Sequence, residues 1–169
     1  ETVTVESTGA ALVPFQKQDY IIPTPKELSF SDSRLQIGPG TKIYVGDNSS
    51  SETDRAVAFM MRDLREVYGL YPEVVRTAIP EDLPKGAIII GQANRLDGVE
   101  EMLGMQGLEL PEHEEGYALY VGDDVAVIGA EEGRGVYYGG TRLVQRITVD
   151  EGGMWLRGAK VEDWPSLGF

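Results

Sequence analysis

Cysteine is absent, and histidine occurs once, at His113. The first absence excludes disulfides, zinc–thiolate sites, iron–sulfur clusters and thiol nucleophiles. The second excludes the metalloprotease pattern of two histidines four residues apart on one helix, because position 117 is Tyr117. A zinc site would have to be nearly all carboxylate. Long apolar runs are also missing. Ala87-Ile88-Ile89-Ile90 is strand-length, well short of the roughly 18 residues of a membrane-spanning helix, so no membrane span is expected. Basic residues are in deficit: 15 Lys and Arg against 28 Asp and Glu leave a net charge of −13. Such a chain repels nucleic acid and anionic lipid, and neither is expected as a partner. The 169 residues are too few for a complete (β/α)8 barrel of about 250 and fit one domain. No signal peptide is visible, and Glu1 in place of Met reads as a processed mature form or a piece of a longer chain.

What is present points to an α+β fold. Residues 1–19 are weakly patterned and read as an N-terminal arm. Pro23 and Pro25 hold the next stretch extended. Leu28-Ser29-Phe30 and Leu35-Gln36-Ile37 alternate, with Asp32-Ser33 between them, and predict a short hairpin. Lys42–Val45 predicts a strand. The strongest helical pattern spans Ser51 to Tyr68, with Ala56, Phe59, Met60, Leu64 and Val67 as its stripe, Ser51 or Thr53 as cap and Gly69 as stop. Residues 72–76 predict a strand, and 86–91 a strand covered on both faces. A short helix is expected within 94–107. Gly116–Val121 and Val125–Ile128 flank Gly122-Asp123-Asp124 as a hairpin. A second helix is expected over 133–147, burying Val136, Gly140, Leu143, Val144 and Ile147. Met154–Leu156 and Ala159–Glu162 predict closing strands around Gly158. Hairpins mixed with helices favour a mixed β-sheet with two main helices packed on one face.

Little in this pattern is catalytic. Pro111 and Gly116 break any helix through Glu112-His113-Glu114-Glu115, so His113 reads as a solvated loop residue. No Gly-x-Ser-x-Gly elbow presents a nucleophile. Gly129–Gly135 lies where a nucleotide loop would, but its glycine spacing is wrong and Glu131 and Glu132 would face the phosphates. It reads as a tight turn before a helix whose Gly135, Gly139 and Gly140 allow close packing. Asp123-Asp124 are neighbours that cannot converge on a sugar, and Asp suits a hairpin tip. No catalytic, cofactor-binding or metal-ligating residue is assigned, and no cofactor is expected.

Three ordered segments carry a resemblance. Ile21-Ile22-Pro23-Thr24-Pro25-Lys26-Glu27-Leu28 resembles the opening of the non-catalytic N-terminal domain of glycoside hydrolase family 20, the β-N-acetylhexosaminidases. Glu115–Ala130 and Gly135–Gln145 resemble that domain's last hairpin and long helix. Val161-Glu162-Asp163-Trp164-Pro165-Ser166-Leu167-Gly168-Phe169 resembles the strand that leads into the barrel. The family usually carries a bulkier residue at the place of Gly140. Family 84 N-acetylglucosaminidases and some α-glucuronidases share such a domain.

The resemblance implies a zincin-like but metal-free fold over residues 20–163, and a linker beginning at 164–169. It implies a bacterial protein that is secreted, periplasmic or on the cell surface. Its partner would be its own C-terminal catalytic barrel, met through Trp164, Pro165, Leu167 and Phe169. The family's catalytic Asp-Glu pair lies in the barrel, and no position here matches it. The alternative is a carbohydrate- or protein-binding module using exposed aromatics such as Trp155 or Trp164.

Overall fold

The computed structural model describes residues 27–164. The expected arm over 1–19, the Pro23-Pro25 stretch, Pro165, Leu167 and Phe169 lie outside the described residues. Among the described residues, eight strands form one mixed sheet in the order β1-β8-β5-β6-β4-β2-β3, with β7 paired to β8 beside that path. The strands are β1 (Glu27–Ile37), β2 (Lys42–Tyr44), β3 (Glu73–Val75), β4 (Ala87–Gln92), β5 (Tyr117–Val121), β6 (Val125–Ala130), β7 (Ile147–Asp150) and β8 (Gly153–Asp163). The helices are α1 (Ser51–Tyr68), α2 (Val99–Gly104) and α3 (Gly133–Gln145). One half of the sheet, β6-β4-β2-β3, is parallel. The other half, β1-β8-β5-β6 with β7, is antiparallel.

Both main helices pack on one face of the sheet, as their single apolar stripes require. Met60 and Leu64 of α1 and Val136 and Leu143 of α3 share a core with Ile88, Ile90, Leu119 and Ile128. The opposite face carries α2, whose Val99 and Leu103 cover Ala87, Ile89, Ala118 and Val127. Strand β4 therefore alternates between two cores, and every residue in it is buried. Its unbroken apolar run follows from that double cover. The α3 glycines do what the sequence suggested. A Cβ on Gly135 would collide with the Gly116 carbonyl, and one on Gly139 would lie 2.6 Å from Ile128 Cγ2.

Five expectations need correction. The hairpin expected over 28–37 is a single strand, β1. Its register against β8 shifts between Phe30 and Arg34, where Ser31, Asp32 and Ser33 bulge opposite Gly158. A Cβ on Gly158 would run into Ser31 and lie 2.8 Å from Ser33 Cβ, so only glycine fits there. The two closing strands are likewise one strand, β8, with Gly158 inside it. The α1 cap is Ser50, whose hydroxyl accepts from the Thr53 amide at 3.2 Å, and not Ser51 or Thr53. Val67 is exposed rather than part of the stripe, and Ile147 opens β7 after α3 has ended. Gly69 stops α1 in the left-handed conformation, as expected.

Candidate functional site at the carboxyl edge of the sheet

Strands β2, β3, β4, β6 and β8 all end at one edge of the sheet, while β1 and β5 begin there. Helices α1 and α3 follow β2 and β6, so their first turns open on the same edge. A loop from Leu110 to Gly116 completes it. Arg134, in the first turn of α3, reaches back to this loop with two ion pairs, to Glu114 Oε1 and Glu115 Oε2, each at 3.0 Å. Glu115 is only 6% exposed, and its charge is tolerated there because the guanidinium answers it. The Glu115 amide donates to His113 Nδ1 at 3.1 Å. The imidazole stacks on Trp164, with ring centroids 6.3 Å apart and planes at 24°.

Trp164 follows a locked strand end. Asp163 pairs across the ladder with Tyr117 and is 2% exposed. The Tyr117 hydroxyl donates to Asp163 Oδ2 at 3.3 Å. Burial pushes the Tyr117 phenol well above its usual range, and the Asp163 charge adds to the shift. The chain thus leaves the core at Trp164, which is half-buried on the His113 loop.

Two cavities open beside this exit. One, of about 250 Å³, lies between the first turns of α1 and α3, with Ser50, Glu52, Gln92 and Glu132 in its lining. The other, of about 410 Å³, is walled by Glu112, His113, Glu114, Glu131 and Glu132. Carboxylates therefore do come together here. A general acid needs an apolar surround that holds its proton near neutral pH. Glu112, Glu114, Glu131 and Glu132 are exposed, and the buried Glu115 is bound to Arg134. Asp54 and Asp150 are both held below the usual range, opposite to what an acid catalyst needs. Among the described residues, no three His, Asp or Glu side chains are grouped to hold a metal ion.

The profile of glycosyl hydrolase family 20, domain 2, matches residues 18–164. The chain belongs to this family. No curated protein sequence matches it. Among solved structures, it is similar to a chitobiase from Flavobacterium johnsoniae, with a TM-score of 0.64 and 18% identity over 90% of this chain and 22% of that one. It is similar to the β-N-acetylhexosaminidase of Streptomyces coelicolor A3(2), with a TM-score of 0.62 and 23% identity over 88% of this chain and 27% of that one. It is also similar to the N-acetyl-β-hexosaminidase of Streptomyces plicatus, at 0.60 and 23%, over 90% and 28%. These likenesses establish the fold. The chain spans about a quarter of each of these solved chains.

In this family 20 domain, Trp164 is the one proposed contact residue within the described range, and it lies at the candidate edge. Asp123-Asp124 form the β5–β6 tip at the opposite edge, where Asp123 Oδ1 accepts from the Arg34 amide at 3.2 Å. Trp155 is also remote. About 26 Å of extended strand, at roughly 3.3 Å per residue, separates it from Asp163. Its ring lies under the Arg34 guanidinium, 3.5 Å from the centroid, and its Nε1 donates to Asp150 Oδ2 at 2.7 Å. The two tryptophans therefore cannot share one stacking platform. Sequence reasoning passed over Gln92 and Arg134. The available signal for Gln92 was a polar residue in register with Ile88 and Ile90 on a buried face.

Proposed function

We propose that this chain is a non-catalytic accessory domain of a secreted bacterial glycoside hydrolase of the β-N-acetylhexosaminidase kind, buttressing a catalytic barrel that follows it. The observation that carries the reading is the family 20 domain 2 match over residues 18–164. The share of a quarter in hexosaminidase chains of known structure supports it. So does the geometry of the exit. Strand β8 delivers the chain at Trp164 beside the His113 loop, and a barrel attached there would meet the carboxyl edge first. Residues 20–163 form the accessory domain in this reading, and 164–169 begin the linker. Trp164, Pro165, Leu167 and Phe169 supply apolar contact to the barrel.

The purified 169-residue chain, incubated with an aryl N-acetylglucosaminide, is expected to show no turnover. A polypeptide extended into the following barrel is expected to hydrolyse it. Turnover by the 169-residue chain that disappears in Glu114→Gln or Glu132→Gln overturns the reading.

A further inference from the structure

The loop from Leu110 to Gly116 closes on itself at His113. The Gly116 amide donates to the His113 carbonyl at 2.9 Å, and the Glu115 amide donates to the His113 ring at 3.1 Å. Residues 113–116 are thus tied through both backbone and side chain, and they move as one unit. That unit rests on the start of α3. The Gly116 carbonyl occupies the place that a Cβ on Gly135 would need. Arg134 holds the unit by two ion pairs of equal length, 3.0 Å, but of unequal worth. The Glu114 side chain is 68% exposed, so water screens its pair; the Glu115 side chain is 8% exposed. Without the guanidinium, the Glu115 charge would stay buried and unanswered, and the loop would have to open to bring it to water.

The other side of the unit faces the end of β8. The ladder between β5 and β8 ends at Tyr117 and Asp163, and the Tyr117 hydroxyl holds the Asp163 carboxylate as well. Trp164 is the first residue past that ladder. Its direction is set by what its side chain touches, and the His113 ring is one such contact. A path of contacts therefore runs from Arg134 through Glu115 and His113 to Trp164. Opening of the loop at Glu115 would carry the His113 ring away from the tryptophan. The core beneath has its own support, because β5 is paired to β6 on one side and to β8 on the other.

We propose that Arg134 is an orienting clamp: by answering the Glu115 charge it keeps the His113 unit closed, and the closed unit sets the direction in which the chain leaves β8 at Trp164. Arg134 acts through the loop and is a positioning residue. In a longer polypeptide the clamp fixes the angle at which the next domain is presented. That consequence rests on the accessory-domain reading; the clamp on Trp164 does not.

The test uses the 169-residue chain with Trp155→Phe, which leaves Trp164 as its one tryptophan. Time-resolved fluorescence anisotropy reads the freedom of Trp164, and amide hydrogen exchange reads the loop. Arg134→Leu is expected to raise the amplitude of the fast anisotropy decay about twofold and to speed exchange of the Glu115 and Gly116 amides about tenfold, with the Leu119 and Ile128 amides unchanged. In the chain that keeps Trp155, NMR cross-relaxation between the His113 and Trp164 rings should fall in the same variant. Glu114→Gln should leave Trp164 as it is in the unaltered chain. Adding Glu115→Gln to Arg134→Leu should restore most of the order of Trp164, because no charge is then left buried. Four outcomes overturn the proposal. One is a loop that exchanges faster while Trp164 is unchanged, which removes His113 as its guide. Another is a loop that does not respond. The third is an equal loss of protection at Leu119 and Ile128, which makes Arg134 a residue of global stability. The last is the absence of rescue by Glu115→Gln. Hydrolysis is not read in this test, so the clamp and the accessory-domain reading fall separately.

Discussion

Gly139 of α3 lies where a Cβ would come within 2.6 Å of Ile128 Cγ2 on β6. The helix thus rides on the sheet at backbone distance, and Tyr117 closes the same gap at 3.2 Å. Gly139→Ala should destabilise the domain by about 1–3 kcal/mol, because both neighbours are fixed in the core. The adjacent Gly140 faces Met60, with Sδ at 3.0 Å from the added carbon. Methionine can yield, and alanine is the better helix former by about 1 kcal/mol. Gly140→Ala should therefore be neutral or stabilising. Urea unfolding of the two variants should give opposite signs, or at least a gap of about 1 kcal/mol.

Leu143 is the largest fully buried side chain of the α3 stripe, packed against α1 and the sheet. Leu143→Ala should cost about 2–5 kcal/mol. An unfolding midpoint that does not move would show that the α1–α3 layer is not the main core.

Tyr117 should be the last of the eight tyrosines to ionise. Its phenol is raised in the folded state, so its contribution to stability is complete below the unfolded value of about 10 and declines as pH climbs toward the folded one. Alkaline absorbance titration should show a tyrosine that ionises only as the fold opens. Tyr117→Phe should remove that late step.

Asp54 titrates in the opposite sense. The Ser49 hydroxyl, 2.6 Å away, lowers its pKa most; burial works against this, and Arg76 at 2.9 Å adds to the lowering. Its stabilising effect is present above about pH 3.9 and is lost as pH falls through the folded value. In carboxyl NMR titrations, Ser49→Ala and Arg76→Ala should each raise the Asp54 pKa. The Asp54–Arg76 pair is about half exposed, so a double-mutant cycle should give no more than about 1 kcal/mol.

The helices, β4 and the β5–β6 hairpin were legible in the sequence because their signals are local. Met60, Leu64 and Leu143 repeat at helical spacing, and Gly122-Asp123-Asp124 marks its own turn. The β1 bulge was not legible. Asp32-Ser33 has the composition of a turn, and only Gly158, far away in the chain, shows that the strand continues past it. Strand β7 was hidden because Ile147 stays in phase with the α3 stripe after the helix has ended. The carboxyl edge was only half legible. Trp164 could be picked out as an apolar residue near the end of the chain. The Arg134–Glu115 pair and the orphaned Gln92 oxygen exist only once distant segments meet.

Strand β8 runs antiparallel to both of its long neighbours, β1 and β5, and ends at the point where the chain departs. Tension applied at Trp164 along the strand therefore loads two hydrogen-bond ladders in shear, with many bonds strained together. A strand at the rim would instead peel open one bond at a time. The exit strand is in this sense a mechanical anchor, and pulling from Trp164 should meet more resistance than an equal pull on the rim strand β3, which among the described residues has β2 alone beside it.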